Sequence, residues 1–147
     1  MVIIKEDVNK ELVEVCKNGF PYEVCGYLIG NIKYGQDTSG IDDIFEISYF
    51  MICENINKEN PEIRFEINPS DRIKAQKDAE LNKLDVIGVY HSHPNHEAYA
   101  SPTDNDFAVE STAYLIYSII NNKFNDLQAY IKNGNTNKLE STKITIL

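Results

Sequence analysis

A chain of 147 residues with 42% hydrophobic and 25% charged residues has the make-up of a single globular domain over 1–147, neither fibrous nor disordered. Its 14 basic and 23 acidic residues leave a formal charge of −9, which excludes nucleic acid and anionic membrane surfaces as natural partners. The three cysteines, Cys16, Cys25 and Cys53, are odd in number and form no CxxC pair, and no leader or long apolar run stands out, so the expectation is a cytoplasmic protein without disulfides.

Val2–Ile4 predicts a short first strand. Val8, Leu12 and Val15 then recur at helical spacing, and Gly19 with Pro21 supplies the stop. Gly26–Gly30 is a short apolar strand, and Ile44–Cys53, rich in Ile, Phe and Tyr, is another. Asn31–Asp42 and Asn133–Asn137 have the composition of surface loops. Ile63, Phe65 and Ile67 alternate with Arg64 and Glu66, which predicts a half-buried strand. Asn68-Pro69-Ser70-Asp71 caps a helix running to about Lys83, with only a weak apolar stripe. Asp85–His93 is a strand ending in histidines, and Ser101–Ala113 predicts a further helix. Tyr114–Ile120 has the continuous apolar character of a strand inside a sheet, and Leu127–Ile131 and Leu139–Leu147 close the chain as strands. About three helices and seven or eight strands in mixed order give an α/β (α+β mixed) class: one mixed, partly curled sheet flanked by helices.

All three histidines fall in His91-Ser-His93-Pro94-Asn-His96. Residues two apart on a strand share a face, so His91 and His93 project together, continuing the face of Ile87 and Val89. Pro94 breaks the strand beyond them. Such a pair alone is commonly a surface accident. Ser101-Pro102-Thr103-Asp104 adds a carboxylate at a helix start, and two imidazoles with one carboxylate leave a fourth tetrahedral position open, the pattern of catalytic rather than structural zinc. Ser101 and Asp104 equally suit a capping box. Glu23, in an apolar, turn-rich stretch, is a candidate base for a water, or else an exposed loop glutamate. His96 suits a solvated loop position and Cys25 a packing one.

Taken together, Glu23, His91-x-His93-Pro94 and Ser101-x-x-Asp104 resemble the motif of the JAMM, or MPN-plus, metalloproteases. Glu23-x-Cys25-Gly26-x-Leu28-x-Gly30, Arg64-Phe65-Glu66-Ile67-Asn68-Pro69 and Gly88–Pro94 extend the likeness over roughly positions 1 to 130. The resemblance implies a JAB/MPN, deaminase-like architecture. It further implies one Zn2+ per chain held by His91, His93 and Asp104, with Glu23 as general base and Ser101 as hydrogen-bond donor to the oxyanion. It assigns no substrate-binding residues. A deaminase itself is excluded, because His96 is followed directly by Glu97 and CxxC is absent.

The implied reaction is hydrolysis of the amide or isopeptide bond after the C-terminal glycine of a small ubiquitin-like or sulfur-carrier protein ending in Gly-Gly. The length is that of the compact prokaryotic branch. Release of cysteine from a carrier and removal of a modifier from lysine both stay open, as does a homodimer. The alternatives are a non-enzymatic scaffold of the same fold and a metallopeptidase for small peptide conjugates.

Overall fold

A computed structural model describes residues 1–109 and 111–147. Its elements are β1 (Val2–Ile4), α1 (Glu6–Gly19), β2 (Cys25–Lys33), β3 (Ile44–Cys53), α2 (Pro69–Leu81), β4 (Asp85–Pro94), α3 (Pro102–Phe107), β5 (Ala113–Ile120), β6 (Lys123–Asn133), β7 (Lys138–Thr142) and β8 (Ile144–Ile146). One eight-stranded sheet runs β7-β6-β5-β4-β2-β3-β1-β8. It is mixed: β4 pairs parallel with β5, and β1 with both β3 and β8, while the other pairs are antiparallel. β7 and β8 are the two ends of the strand order, yet only Lys143 separates them in the chain, so the sheet curls until its edges approach. The mixed, curled sheet with three helices agrees with the expected class.

α1 forms because its apolar residues return once per turn. Glu6 and Asp7 sit at the positive end of its dipole and Lys17 at the negative end. Its Leu12 and Cys16 are buried against Ile4, Phe45, Tyr90, Leu115 and Tyr117, the main core. Gly26 is required there, because a Cβ on it would meet the Met51 carbonyl oxygen at 2.1 Å and the Tyr90 ring at 2.6 Å. α2 is capped as expected, the Asn68 side chain accepting from the Ser70 N–H, but it buries only Ala75 and Ala79, which accounts for its weak stripe. Among the described residues no helix is long and apolar enough to cross a membrane.

Four expectations need correction. Ile63–Ile67 is not a strand of the sheet: Ile63 lies in a turn, its N–H donating to the Asn60 carbonyl, and Arg64–Ile67 follows it outside the strand order. The Asn55 side chain takes the Arg64 carbonyl and the Glu66 N–H, and Ile56 donates to the Glu66 carbonyl, so a side chain fills the ladder positions. The helix expected over Ser101–Ala113 is confined to Pro102–Phe107. Ala108 is already extended, with its carbonyl drawn to the Lys132 ammonium, and Glu110 lies outside the described residues. Leu139–Leu147 divides into β7 and β8 on opposite ends of the strand order. Ile87 does not share the histidine face. Leu28 pairs with Gly88 and Ile29 with Val86, so Ile87 is an extra residue that reverses the alternation. It joins Tyr90 in the main core, while Val89 packs with Tyr27 and Tyr114 on the other face.

Candidate metal centre

Pairing of β2 with β4 stops at Cys25 opposite His91, whereas β5 accompanies β4 through Pro94. The last residues of β4 therefore lean on one neighbour only, and their other flank meets the incoming chain at Glu23 and Val24. The Ser92 hydroxyl accepts from the Val24 N–H at 2.9 Å, and the Ser92 N–H donates to the Val24 carbonyl at 3.0 Å. Ser92 thus ties the glutamate-bearing segment to the histidine strand.

His91 and His93 are buried, with their Nε2 atoms 3.1 Å apart. Asp104 completes a triangle, its Oδ1 lying 3.2 Å from His91 Nε2 and its Oδ2 3.3 Å from His93 Nε2. Tetrahedral zinc, with bonds of about 2.0–2.1 Å, holds its ligand atoms about 3.3 Å from one another. The two Asp104 separations are to different oxygens, so two imidazole nitrogens and a carboxylate at about that spacing suit a divalent cation, with one position left over when a single carboxylate oxygen binds. The tautomer fits as well. His93 Nδ1 lies 2.8 Å from the Glu97 carbonyl, so Nδ1 carries the proton and Nε2 turns its lone pair inward. The His91 ring stacks on Phe65 at 4.6 Å between centroids, and its Nδ1 takes no hydrogen bond within the protein among the described residues.

The electrostatics follow from burial against pairing. Burial pushes the Asp104 carboxyl upward, but the imidazoles of His91 and His93 beside it and the Ser101 N–H outweigh it and hold the group well below the carboxylate range. Burial lowers His91, and its bond to Asp104 does not make up the loss. Burial also pulls His93 down, but Asp104, the Glu97 carbonyl and Glu23 together raise it. Burial raises Glu23 to about 7, against the lowering effects of His93 and Arg64.

Asp104 sits at the third residue of α3, and the capping box forms: the Ser101 N–H donates to Asp104 Oδ2 at 2.8 Å and the Asp104 N–H to Ser101 Oγ at 3.0 Å. Cap and triangle use the same carboxylate. Because Ser101 Oγ accepts in the cap, its own O–H is left for another acceptor. Side chains of β6 and the backbone of β7 pin the segment that carries this cap. The Tyr130 hydroxyl donates to the Ala98 carbonyl, Lys132 Nζ to the Ala108 carbonyl at 2.8 Å, and the Leu139 N–H to Asn105 Oδ1 at 2.8 Å.

Glu23 is only 6% exposed, and it brings a carboxylate oxygen within 4.8 Å of donor atoms on both histidines. The five residues singled out from the sequence thus converge in one region. They line a cleft of about 1090 Å³, together with apolar groups of two further segments, Phe65 and Ile67 on one and Phe107 and Val109 on the other. His96 is exposed where the cleft opens. Cys25 is buried beneath the site, opposite Cys53 and His91 in the ladder, and burial pushes its thiol up to about 12.

Sequence reasoning missed the parts played by Phe65, Ser92, the Glu97 carbonyl and Asn55. One signal existed for Lys132: a lysine directly after the apolar Ala129–Ile131 needs a buried partner. The Glu97 carbonyl and the Phe65 ring act through a backbone atom and stacking, and Ser92 and Asn55 through side-chain bonds to backbone groups distant in sequence, which spacing along the chain does not mark.

A family model described as prokaryotic homologs of the JAB domain matches residues 5–131. A desampylase of Pyrococcus furiosus is 27% identical over 145 residues, covering 99% of this chain and 90% of that one. A desampylase of Haloferax volcanii is 30% identical over 99 residues, covering 67% of this chain and 63% of its own. Two solution structures share the fold. A protein from Desulfitobacterium hafniense aligns with a TM-score of 0.80 at 21% identity, over 100% of this chain and 93% of its own, and one from Salinibacter ruber with 0.70 at 26%, over 100% and 92%.

Proposed function

Because the chain belongs to the prokaryotic JAB-domain family of JAMM/MPN proteins, we propose that it is a zinc hydrolase that cuts the isopeptide bond after the C-terminal glycine of a small ubiquitin-like modifier. The hydrolase class goes with the family and with the desampylases it resembles. The observation that carries the zinc chemistry is the triangle of His91, His93 and Asp104 donors at 3.1–3.3 Å, with Glu23 beside it.

In this reading His91, His93 and Asp104 hold the ion. Bound there, zinc polarises the scissile carbonyl and lowers the pKa of water to near 7. The chain's own groups do the rest. The Glu23 carboxylate, pushed up by burial, takes a proton from the attacking water and delivers it to the leaving amine. The Ser101 hydroxyl donates to the oxygen on which negative charge develops, a role worth about 2.7–4 kcal/mol in other hydrolases. The Glu97 carbonyl keeps His93 in the required tautomer. Phe65, stacked on His91, excludes water from one side.

A Gly-Gly tail suits a cleft wall that offers backbone atoms rather than side-chain pockets. Along Ile63–Ile67, Asn55 and Ile56 take the Arg64 carbonyl and both Glu66 backbone groups. The Phe65 N–H and carbonyl, on the other edge, pair with no backbone group among the described residues. An extended tail adding to that edge is held through its main chain. A sulfur-carrier protein with the same tail presents the same chemistry.

The test is Glu23→Gln. Zinc content stays near one per chain, while cleavage of a lysine-linked modifier conjugate falls by about 10²–10⁴-fold. A variant that keeps wild-type turnover removes the hydrolase mechanism. Wild-type protein that takes up no zinc removes the metal centre. Replacing the two tail glycines by larger residues slows the wild-type enzyme sharply, and equal rates would discard the tail-binding edge.

A further inference from the structure

We propose that Asn55 is a positioning residue for Glu23, an inference that rests on the reading of Glu23 as the general base. Asn55 lies just past the end of β3 and has no place in the metal triangle. Its side-chain amide is nonetheless saturated. The two Nδ2 hydrogens go to the Glu23 carbonyl at 3.1 Å and the Arg64 carbonyl at 3.0 Å. Oδ1 accepts from the Asn57 N–H at 3.0 Å and the Glu66 N–H at 3.1 Å. An amide offers two donors and two lone pairs, so none is left over.

The consequence is a rigid joint between two segments far apart in sequence. Glu23 is the last residue before the chain is taken up by Ser92 of β4, and the strap from residue 54 to 67 holds its backbone at both ends. The Glu23 N–H donates to the Pro61 carbonyl at 2.7 Å, and the Glu23 carbonyl accepts from Asn55. Through Arg64 and Glu66, the same amide fixes the segment whose Phe65 stacks on His91. A base that must reach one water tolerates little displacement, and a shift of about 1 Å can cost about 10²-fold in rate. Only a neutral amide supplies both halves of this joint: a carboxylate of the same shape would face two carbonyl oxygens with no hydrogen to give.

The variant is therefore Asn55→Asp, which keeps the shape and the acceptor half and removes the donor half. Zinc affinity, kcat, KM and melting temperature are measured together on the zinc-loaded protein, beside Glu23→Gln. The expected result is unchanged zinc affinity and a kcat lower by about 10- to 100-fold. A structural role alone lowers the melting temperature and leaves kcat per zinc-loaded molecule intact. That outcome overturns the proposal, as does a change confined to KM, or a loss of kcat matched by an equal loss of zinc binding. Should the introduced charge prevent folding, Asn55→Gln, neutral and one methylene longer, is scored by the same criteria. If Glu23→Gln keeps full turnover, the base itself is misassigned. If it does not and Asn55→Asp turns over normally, only the positioning role fails.

Discussion

The two faces of the sheet are built on opposite terms. On the α1 face, Leu12 and Cys16 meet Tyr90, Leu115 and Tyr117 in a sealed apolar layer, where the Tyr90 hydroxyl is buried without a partner among the described residues. On the cleft face the relation is inverted. The imidazoles and the Glu23 carboxylate are buried and Asp104 half-buried around a common point, while Phe107 is 80% and Val109 61% exposed. Stability comes mainly from the first face through area removed from water. The second face keeps polar groups dry and apolar groups wet, an arrangement that costs stability and makes sense only for binding and chemistry. β4 serves both, Tyr90 pointing into the core and His91 into the cleft.

Three substitutions separate these terms, from the largest effect to the smallest. His93→Ala removes a donor of the triangle, so activity and zinc uptake should fall by more than the about 10–100-fold that loss of a supporting group costs. Measured in chelator, however, its denaturation midpoint should stay close to that of wild type. A large drop in the metal-free midpoint would mean that the cleft face also carries the fold. Leu12→Ala reverses the pattern: about 2–5 kcal/mol of stability is lost in denaturant titration, with kcat per folded molecule unchanged. A changed kcat would tie α1 to catalysis and blur the division. Phe107→Ala should move stability by no more than about 0.5 kcal/mol, because the ring is already in water. Its effect belongs in KM for a whole modifier conjugate, and an unchanged KM would leave the exposed ring without a binding role.

Legibility in the sequence followed how local each cause was. The shared face of His91 and His93, the Ser101–Asp104 cap, the Asn68 cap and the α1 stripe all rest on spacing within a few residues, whereas Glu23 stands far from them in the chain and no local spacing marks it. Ile63–Ile67 had the right alternation for a strand, yet Asn55 took the hydrogen bonds a neighbouring strand would have used. α3 ended early because Lys132, distant in sequence, draws off the Ala108 carbonyl. Ile87 changed faces through a bulge that only the pairing of β4 with β2 defines.

The sequence by itself thus determined which donors exist and that they suit a divalent cation. These depend on residue type and short-range periodicity. Tertiary structure alone decided that Glu23 is buried, that Phe65 lies on His91, and that one amide joins the two. Those facts depend on segments brought together from distant parts of the chain, such as Asn55 and Glu23 at a separation of 32. Strand pairing and packing set such contacts, and residue spacing along the chain does not encode them.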